Sequence, residues 1–145
     1  MSTVAHASQR ILEPPSGRIR VAEAMHHGVL TCSRDASLAD VAGLMASRRV
    51  HCIVVTEEPD NADSLWGVVS DLDLVAAASV RDLDEQTAEA SAATAALTVS
   101  PEETLQRAAQ LMTEHGTAHL VVVDAARRPV GVLSTLDVAA ALGDN

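Results

Sequence analysis

A chain of 145 residues, 48% of them apolar, can bury one compact domain or two half-domains that share a core, and is too apolar for wholesale disorder. Its formal charge of −10, from 20 acidic side chains against 10 arginines and no lysine, excludes a broad nucleic-acid face, because that affinity comes from cations replacing condensed counterions. The missing lysine also excludes a Walker-type phosphate lysine and Schiff-base chemistry.

The apolar residues are mainly alanine, valine and leucine, with one tryptophan, Trp66, and no phenylalanine or tyrosine. Such thin side chains favour close layering of backbone over a core anchored on rings. Residues 1–18 hold Pro14, Pro15 and Gly17 and no continuous apolar stretch, so they read as a flexible tail and not as a secretory signal. Residues 21–25 suit a short opening helix, and residues 29–31 a short strand. Leu38, Val41, Leu44 or Met45, and Arg48 then follow helical spacing, with Ser37 and Asp40 set as a capping box. The β-branched run Cys52–Thr56 reads as a buried strand, residues 57–64 as a polar turn, and Leu65–Ser70 as the returning strand. An alanine-rich helix, Asp71–Ala78, closes this unit. Residues 81–96 are acidic and alanine-rich and read as a linker with a short helix that opens a second unit.

The second unit repeats the first. TCSRDASL (31–38) aligns with TVSPEETL (98–105), Leu44-Met45 with Leu111-Met112, IVVT (53–56) with LVVV (120–123), and GVVSDLD (67–73) with GVLSTLD (131–137). Its helix carries Leu105, Ala108, Ala109, Leu111 and Met112 on one stripe and stops at Gly116. Two starts compete for that helix: one just ahead of Leu105, and one a turn earlier at Ser100-Pro101-Glu102-Glu103. His119–Val123 and Pro129–Ser134 are the paired strands, joined by a polar turn with Arg127 and Arg128 expected in solvent, and residues 135–142 close the unit. The reading is an α+β fold of two pseudo-symmetric β-α-β-β-α repeats packed sheet to sheet: a tail at 1–18, repeat 1 at 19–80, and linker plus repeat 2 at 81–145. Neither unit covers both faces of its sheet alone, so the pairing is a packing requirement.

The repeated junction is where chemistry concentrates. Ser70 and Ser134 stand as helix N-caps with Asp73 and Asp137 three residues on, which is a capping box. The same atoms suit a ligand: free N–H donors and a dipole end attract an anion, and a carboxylate one turn in matches the vicinal hydroxyls of a ribose. These residues, in this order and written twice, resemble the cystathionine β-synthase (CBS) domain pair, over about residues 20–142. The resemblance implies a pseudo-two-fold module with two clefts between its sheets that bind adenosine-containing ligands: AMP, ADP, ATP or S-adenosylmethionine. It implies a homodimer and a regulatory role toward an attached or partner protein. Carried over by position, the ligand-binding residues are Thr31, His51, Ser70 and Asp73 in the first unit and Thr98, Ala118, Ser134 and Asp137 in the second, with the aspartates on ribose hydroxyls and the serines reaching phosphate. Where many members have proline at the start of the second strand, this chain has His51-Cys52 and Ala118-His119. The two corners also differ at the first helical residue, Asp71 against Thr135; a carboxylate there repels phosphate and a threonine adds a donor. The Asp137 corner is therefore expected to take a phosphorylated ligand better.

Other residues have plainer readings. Arg48 and Arg49, in the last helical turn, either complement the helix dipole or supply cations to a phosphate. His26, His27, Cys32, His51 and Cys52 are metal-capable but lack a spacing that makes four ligands converge, so no metal is expected. Two cysteines without a CxxC pattern read as ordinary thiols of a cytoplasmic protein, and charges interrupt every apolar run well before the ~18 residues of a membrane span. No nucleophile–base–orienter set stands out, so the expectation is a non-enzymatic sensor of an adenosine derivative that acts on a partner in trans. The alternative is a dimerisation or scaffold module whose clefts stay empty.

Overall fold

Residues 15–143 are described by a computed structural model; the expectation of a flexible tail falls, for residues 1–14, outside this range. A helical turn, α1 (Pro15–Arg18), is followed by α2 (Val21–Ala24), β1 (His26–His27), β2 (Thr31–Cys32), α3 (Leu38–Arg48), β3 (Cys52–Thr56), β4 (Leu65–Ser70) and α4 (Asp71–Ala78). A 3₁₀ turn (Leu83–Glu85) and α5 (Ala88–Ser91) lead into β5 (Thr98–Val99), α6 (Leu105–His115), β6 (His119–Val123), β7 (Pro129–Ser134) and α7 (Thr135–Gly143). This is the α+β pair of β-α-β-β-α repeats read from the sequence. Among the described residues no helix is long and apolar enough to cross a membrane.

The repeats match in register as well as in order. In one sheet β2 runs parallel to β3 and β3 antiparallel to β4; in the other β5 runs parallel to β6 and β6 antiparallel to β7. Val54 faces Val68 as Val121 faces Val132, and both hairpins shift register at the same point, Val55/Thr56 and Val122/Val123. Each β-α-β connection is bridged by a capped helix. The Ser37 hydroxyl accepts from the Asp40 N–H at 3.1 Å, and the Thr104 hydroxyl from the Arg107 N–H at 3.1 Å. The later of the two competing starts therefore holds, and Ser100 instead closes a turn by accepting from the Glu102 N–H. Both helices stop on a left-handed residue: Gly116 at φ +60° in α6 and Arg49 at φ +55° after α3. Glycine enters that region freely, whereas a residue with a Cβ is strained there by about 1–2 kcal/mol.

The opening helices are exchanged between the repeats. Helix α2 precedes repeat 1 but docks on repeat 2: the Val21 and Ala22 N–H groups donate to Glu103 and Pro101 carbonyls, and the Leu105 N–H donates to the Ile19 carbonyl. Helix α5 precedes repeat 2 but docks on repeat 1, where the Leu38 N–H donates to the Gln86 carbonyl and the Ala88 N–H to the Ala36 carbonyl. The short segments that follow are exchanged too. Strand β1 adds to β7, with His26 opposite Val132, and Ala93 bridges to Val68 of β4. Each junction glycine makes room for the incoming backbone. A Cβ on Gly67 would come within 2.7 Å of the Ala93 carbonyl oxygen, and one on Gly131 would collide with the His26 carbonyl oxygen.

Two cores result. Val21 joins Leu105, Ala108, Met112, Leu120, Val122 and Leu133 of repeat 2, and Ala88 joins Leu38, Val41, Met45, Ile53, Val55 and Val69 of repeat 1. Leu38 and Leu105 are fully buried, and truncating either to alanine is worth about 2–5 kcal/mol. The sheets meet along a thin seam of Val54, Val121 and Val123, with Val29, Val68 and Ala96 against it. Valine and alanine at that seam let the sheets approach closely. The crossover segments, residues 28–30 and 95–97, run beside it and leave a hollow on each side.

Candidate functional site

Each junction folds as a reciprocal cap. The Ser70 hydroxyl accepts from the Asp73 N–H at 3.2 Å while the Ser70 N–H donates to Asp73 Oδ2 at 2.8 Å. Ser134 and Asp137 repeat this at 3.1 and 2.9 Å. One carboxylate oxygen of each aspartate, Oδ2, is thus fixed by the helix start, and each aspartate lines a hollow. The strand-then-helix switch forces this placement, because the cap residue is the last residue of β4 or β7 and the helix starts directly after it.

The hollow at Asp137 has a volume of about 400 Å³ and is walled by Ser134, Leu30, His51, Arg48 and Arg49. The one at Asp73 has about 500 Å³ and is walled by Ser70, Asp71, Leu97, His115 and Ala118. Both sizes fall in the range of small-molecule sites. Each cleft draws on both repeats: His51 of repeat 1 lies with Asp137, and Ala118 of repeat 2 lies with Asp73. Thr31 and Thr98 stand one residue past the cleft-lining Leu30 and Leu97, half-buried in β2 and β5. Thr135 is exposed at the start of α7, where its N–H donates to the Ala118 carbonyl at 3.0 Å; the Asp71 N–H donates to the His51 carbonyl at 2.9 Å in the matching place.

Electrostatics separate the two corners. His51 Nδ1 lies 2.9 Å from Asp71 Oδ2, and this hydrogen bond holds the Asp71 carboxyl below its usual range. The Asp73 corner therefore carries two carboxylates. At the other corner His26 Nδ1 lies 2.9 Å from Asp137 Oδ1, and Asp137 is only 8% exposed. His119, half-buried, borders both clefts, and burial pushes its pKa below the ordinary value. Burial pushes the thiols of Cys32 and Cys52 up to about 11 and about 12, so neither is a ready thiolate.

His26 at Asp137 was not legible as a partner, because only the exchange of β1 brings it there. The sequence offers Arg48 and Arg49 as dipole partners or as cations for a phosphate; the cleft they border is fixed by the crossed pairing of the repeats. Of the five soft ligands His26, His27, Cys32, His51 and Cys52, all but Cys32 line the Asp137 cleft, but no three of the five bring their ligand atoms within 4.8 Å of one another. Among the described residues the carboxylates of Asp82, Asp84 and Glu85 do, and all three are exposed.

A family model described as the CBS domain matches residues 21–80 and again 90–144. Among curated proteins, Uncharacterized protein MJ0450 of Methanocaldococcus jannaschii is 31% identical over 110 residues, which are 74% of this chain and 58% of that protein. The chain thus spans little more than half the length of that relative. Among solved structures, CBSX2 in complex with AMP superposes with a TM-score of 0.71 at 26% identity, over 87% of this chain and 97% of that one. The CBS domain pair of MJ0100, in complex with 5′-methylthioadenosine and S-adenosyl-L-methionine, gives 0.76 at 19% identity, over 86% and 96%. The CBS domain of a bacterial CNNM/CorC family Mg2+ transporter, in complex with ATP, gives 0.74 at 18% identity, over 88% and 89%.

Proposed function

The chain belongs to the CBS-domain family, and from that premise we propose that it is a regulatory module that binds an adenosine-containing ligand between its repeats. AMP, ADP, ATP and S-adenosylmethionine are the candidates, and the bound form acts on a partner protein in trans. The observation that carries this reading is the pair of aspartates, each fixed through Oδ2 by its own helix start and each lining a walled cleft. A carboxylate held in this way accepts two ribose hydroxyls without first being ordered, and aliphatic walls such as Leu30 and Leu97 sandwich a base. The reading assigns no bond-making chemistry to the clefts: the serine hydroxyls are committed to caps and the thiols are protonated at neutral pH.

A thermal-shift and calorimetric titration with AMP, ATP and S-adenosylmethionine tests it. A ligand at 100 times its Kd adds about 2.7 kcal/mol to stability, and Asp73→Ala with Asp137→Ala together are expected to abolish the shift. No shift with any of the three, or a shift untouched by the double substitution, would sink the proposal.

A second reading is favoured by one observation. Leu72 and Leu136, at matching positions on α4 and α7, are 72% and 66% exposed, and Val75 is 65% exposed. Large apolar side chains left in water at equivalent places fit an interface with a second copy of the chain. We take the module to be a homodimer in the cytoplasm, and a scaffold role with empty clefts is the reading that survives if no ligand binds.

A further inference from the structure

The two clefts differ most at one backbone position. Arg48 and Arg49 border the Asp137 cleft, and their counterparts, His115 and Gly116, border the Asp73 cleft. Both Arg49 and Gly116 hold the same left-handed stop after a helix, at φ +55° and +60°. The pseudo-symmetry therefore supplies an internal control: this turn needs a residue that tolerates positive φ, and glycine fills it without strain. Arginine does not ease the turn, and here it sets a cation at the Asp137 cleft where the other cleft has glycine.

Local pairing does not account for this cation. In a chain of 20 acidic side chains, Arg34, Arg107 and Arg128 have carboxylate partners, whereas Arg48 and Arg49, like Arg81 and Arg127, form no ion pair among the described residues. Arg49 also borders a neighbouring hollow with Asp71, but Asp71 is paired to His51 instead. Dipole complementation at the end of α3 is already met by Arg48 in the last turn. Both arginines line the Asp137 cleft, whose other titratable neighbours are histidines, Cys52 and the single carboxylate of Asp137. The opposite cleft has Asp71 and Asp73 and no arginine.

We infer that Arg49, with Arg48 beside it, contacts the phosphate of a ligand whose ribose is held by Asp137. The chain thereby sorts its ligands by charge: phosphorylated adenosine compounds enter the Asp137 cleft, and compounds without phosphate enter the Asp73 cleft. This assignment rests on the adenosine reading above and adds the ligand class for each cleft.

Calorimetry with adenosine and AMP on the full chain and on Arg49→Gly, Arg49→Lys and Arg127→Gly tests it. Arg127 also sits at positive φ, +64°, and borders neither cleft, so its replacement relieves similar strain without touching a ligand. Glycine at position 49 copies Gly116, so the variant is expected to fold at least as well as the parent. Losing a charge-assisted hydrogen bond to phosphate should weaken AMP about tenfold and adenosine by less than about twofold. Lysine at 49 should restore most of the AMP affinity, and Arg127→Gly should leave both ligands unaffected. Equal losses for AMP and adenosine, or full retention of AMP by Arg49→Gly, would overturn the assignment. If the parent binds adenosine and AMP equally well, the phosphate contact is wrong and the adenosine reading stands. If it binds neither, the adenosine reading fails and the assignment fails with it.

Discussion

His119 lines both clefts, at the start of β6 and half-buried. Its pKa is lowered by burial first and by His51 second, while Asp71, Asp137 and Asp73 pull it the other way. The folded chain thus resists a proton that the unfolded chain accepts near 6.5. Stability tied to His119 is complete above 6.5 and is lost as pH falls through that value toward the lower folded pKa. The melting temperature should therefore drop between about pH 7.5 and 5.5, and His119→Gln should flatten the drop. An unchanged slope in the variant would refute this. Asp71 acts in a separate window: its depressed pKa contributes stability above 3.8 that disappears only in more acidic solution. A second residue-scale expectation concerns His26, whose ring nitrogen occupies the Asp137 oxygen that a ribose would use. Removing it in His26→Ala should tighten AMP binding a few-fold, about 0.5–1 kcal/mol for one exposed polar contact no longer displaced. Weaker binding in a calorimetric comparison would mean the imidazole helps the ligand.

At the scale of elements, the junction glycines decide whether the exchanged segments can dock. Gly131→Ala drives a Cβ into the His26 carbonyl and brings it to 2.9 Å from the Met25 methyl carbon, and Gly67→Ala meets backbone at Ala93. Backbone cannot swing aside as a side chain does, so each substitution should cost about 1–3 kcal/mol by urea unfolding. Gly43, inside α3 with nothing within 4 Å of an added Cβ, should do the opposite and gain about 0.5–1 kcal/mol as alanine. Equal effects at positions 43 and 131 would contradict the close approach. These glycines also mark how far the sequence could be read. Their repetition was visible, as were the caps at Ser70 and Ser134, the buried methionines Met45 and Met112, and the hairpins, because each is a local pattern set by side-chain period or backbone demand. The crossing of α2 and α5 was not, since Val21 and Ala88 are equally apolar whichever core receives them. For the same reason the sequence named His51 and Ala118 as site residues but not the aspartate each would stand beside.

At the scale of the whole molecule, the exchange ties the halves together more firmly than the valine seam alone. Arg34 shows how. It lies over the Trp66 ring at 4.5 Å from the centroid, pairs with Glu57 at 3.4 Å, and donates from Nε to Glu89 of α5 at 3.0 Å. A helix that belongs by sequence to repeat 2 is thereby clipped onto the sheet of repeat 1, and the clefts open between elements that cannot separate independently. Ligand binding should then change the arrangement of whole modules more than it separates one repeat from the other. The exposed faces of α4 and α7 are where such a change would be transmitted, since Leu72, Val75 and Leu136 project there without cover. If those faces join two copies, charge placed on them must break the assembly while leaving each fold intact, because the replaced side chains are already in water. Leu72→Glu with Leu136→Glu is therefore expected to halve the mass found by light scattering at micromolar concentration, with an unchanged far-ultraviolet circular dichroism spectrum. A parent chain that already runs as a monomer, or a double variant that keeps the parent's mass, would show that these leucines serve some other contact.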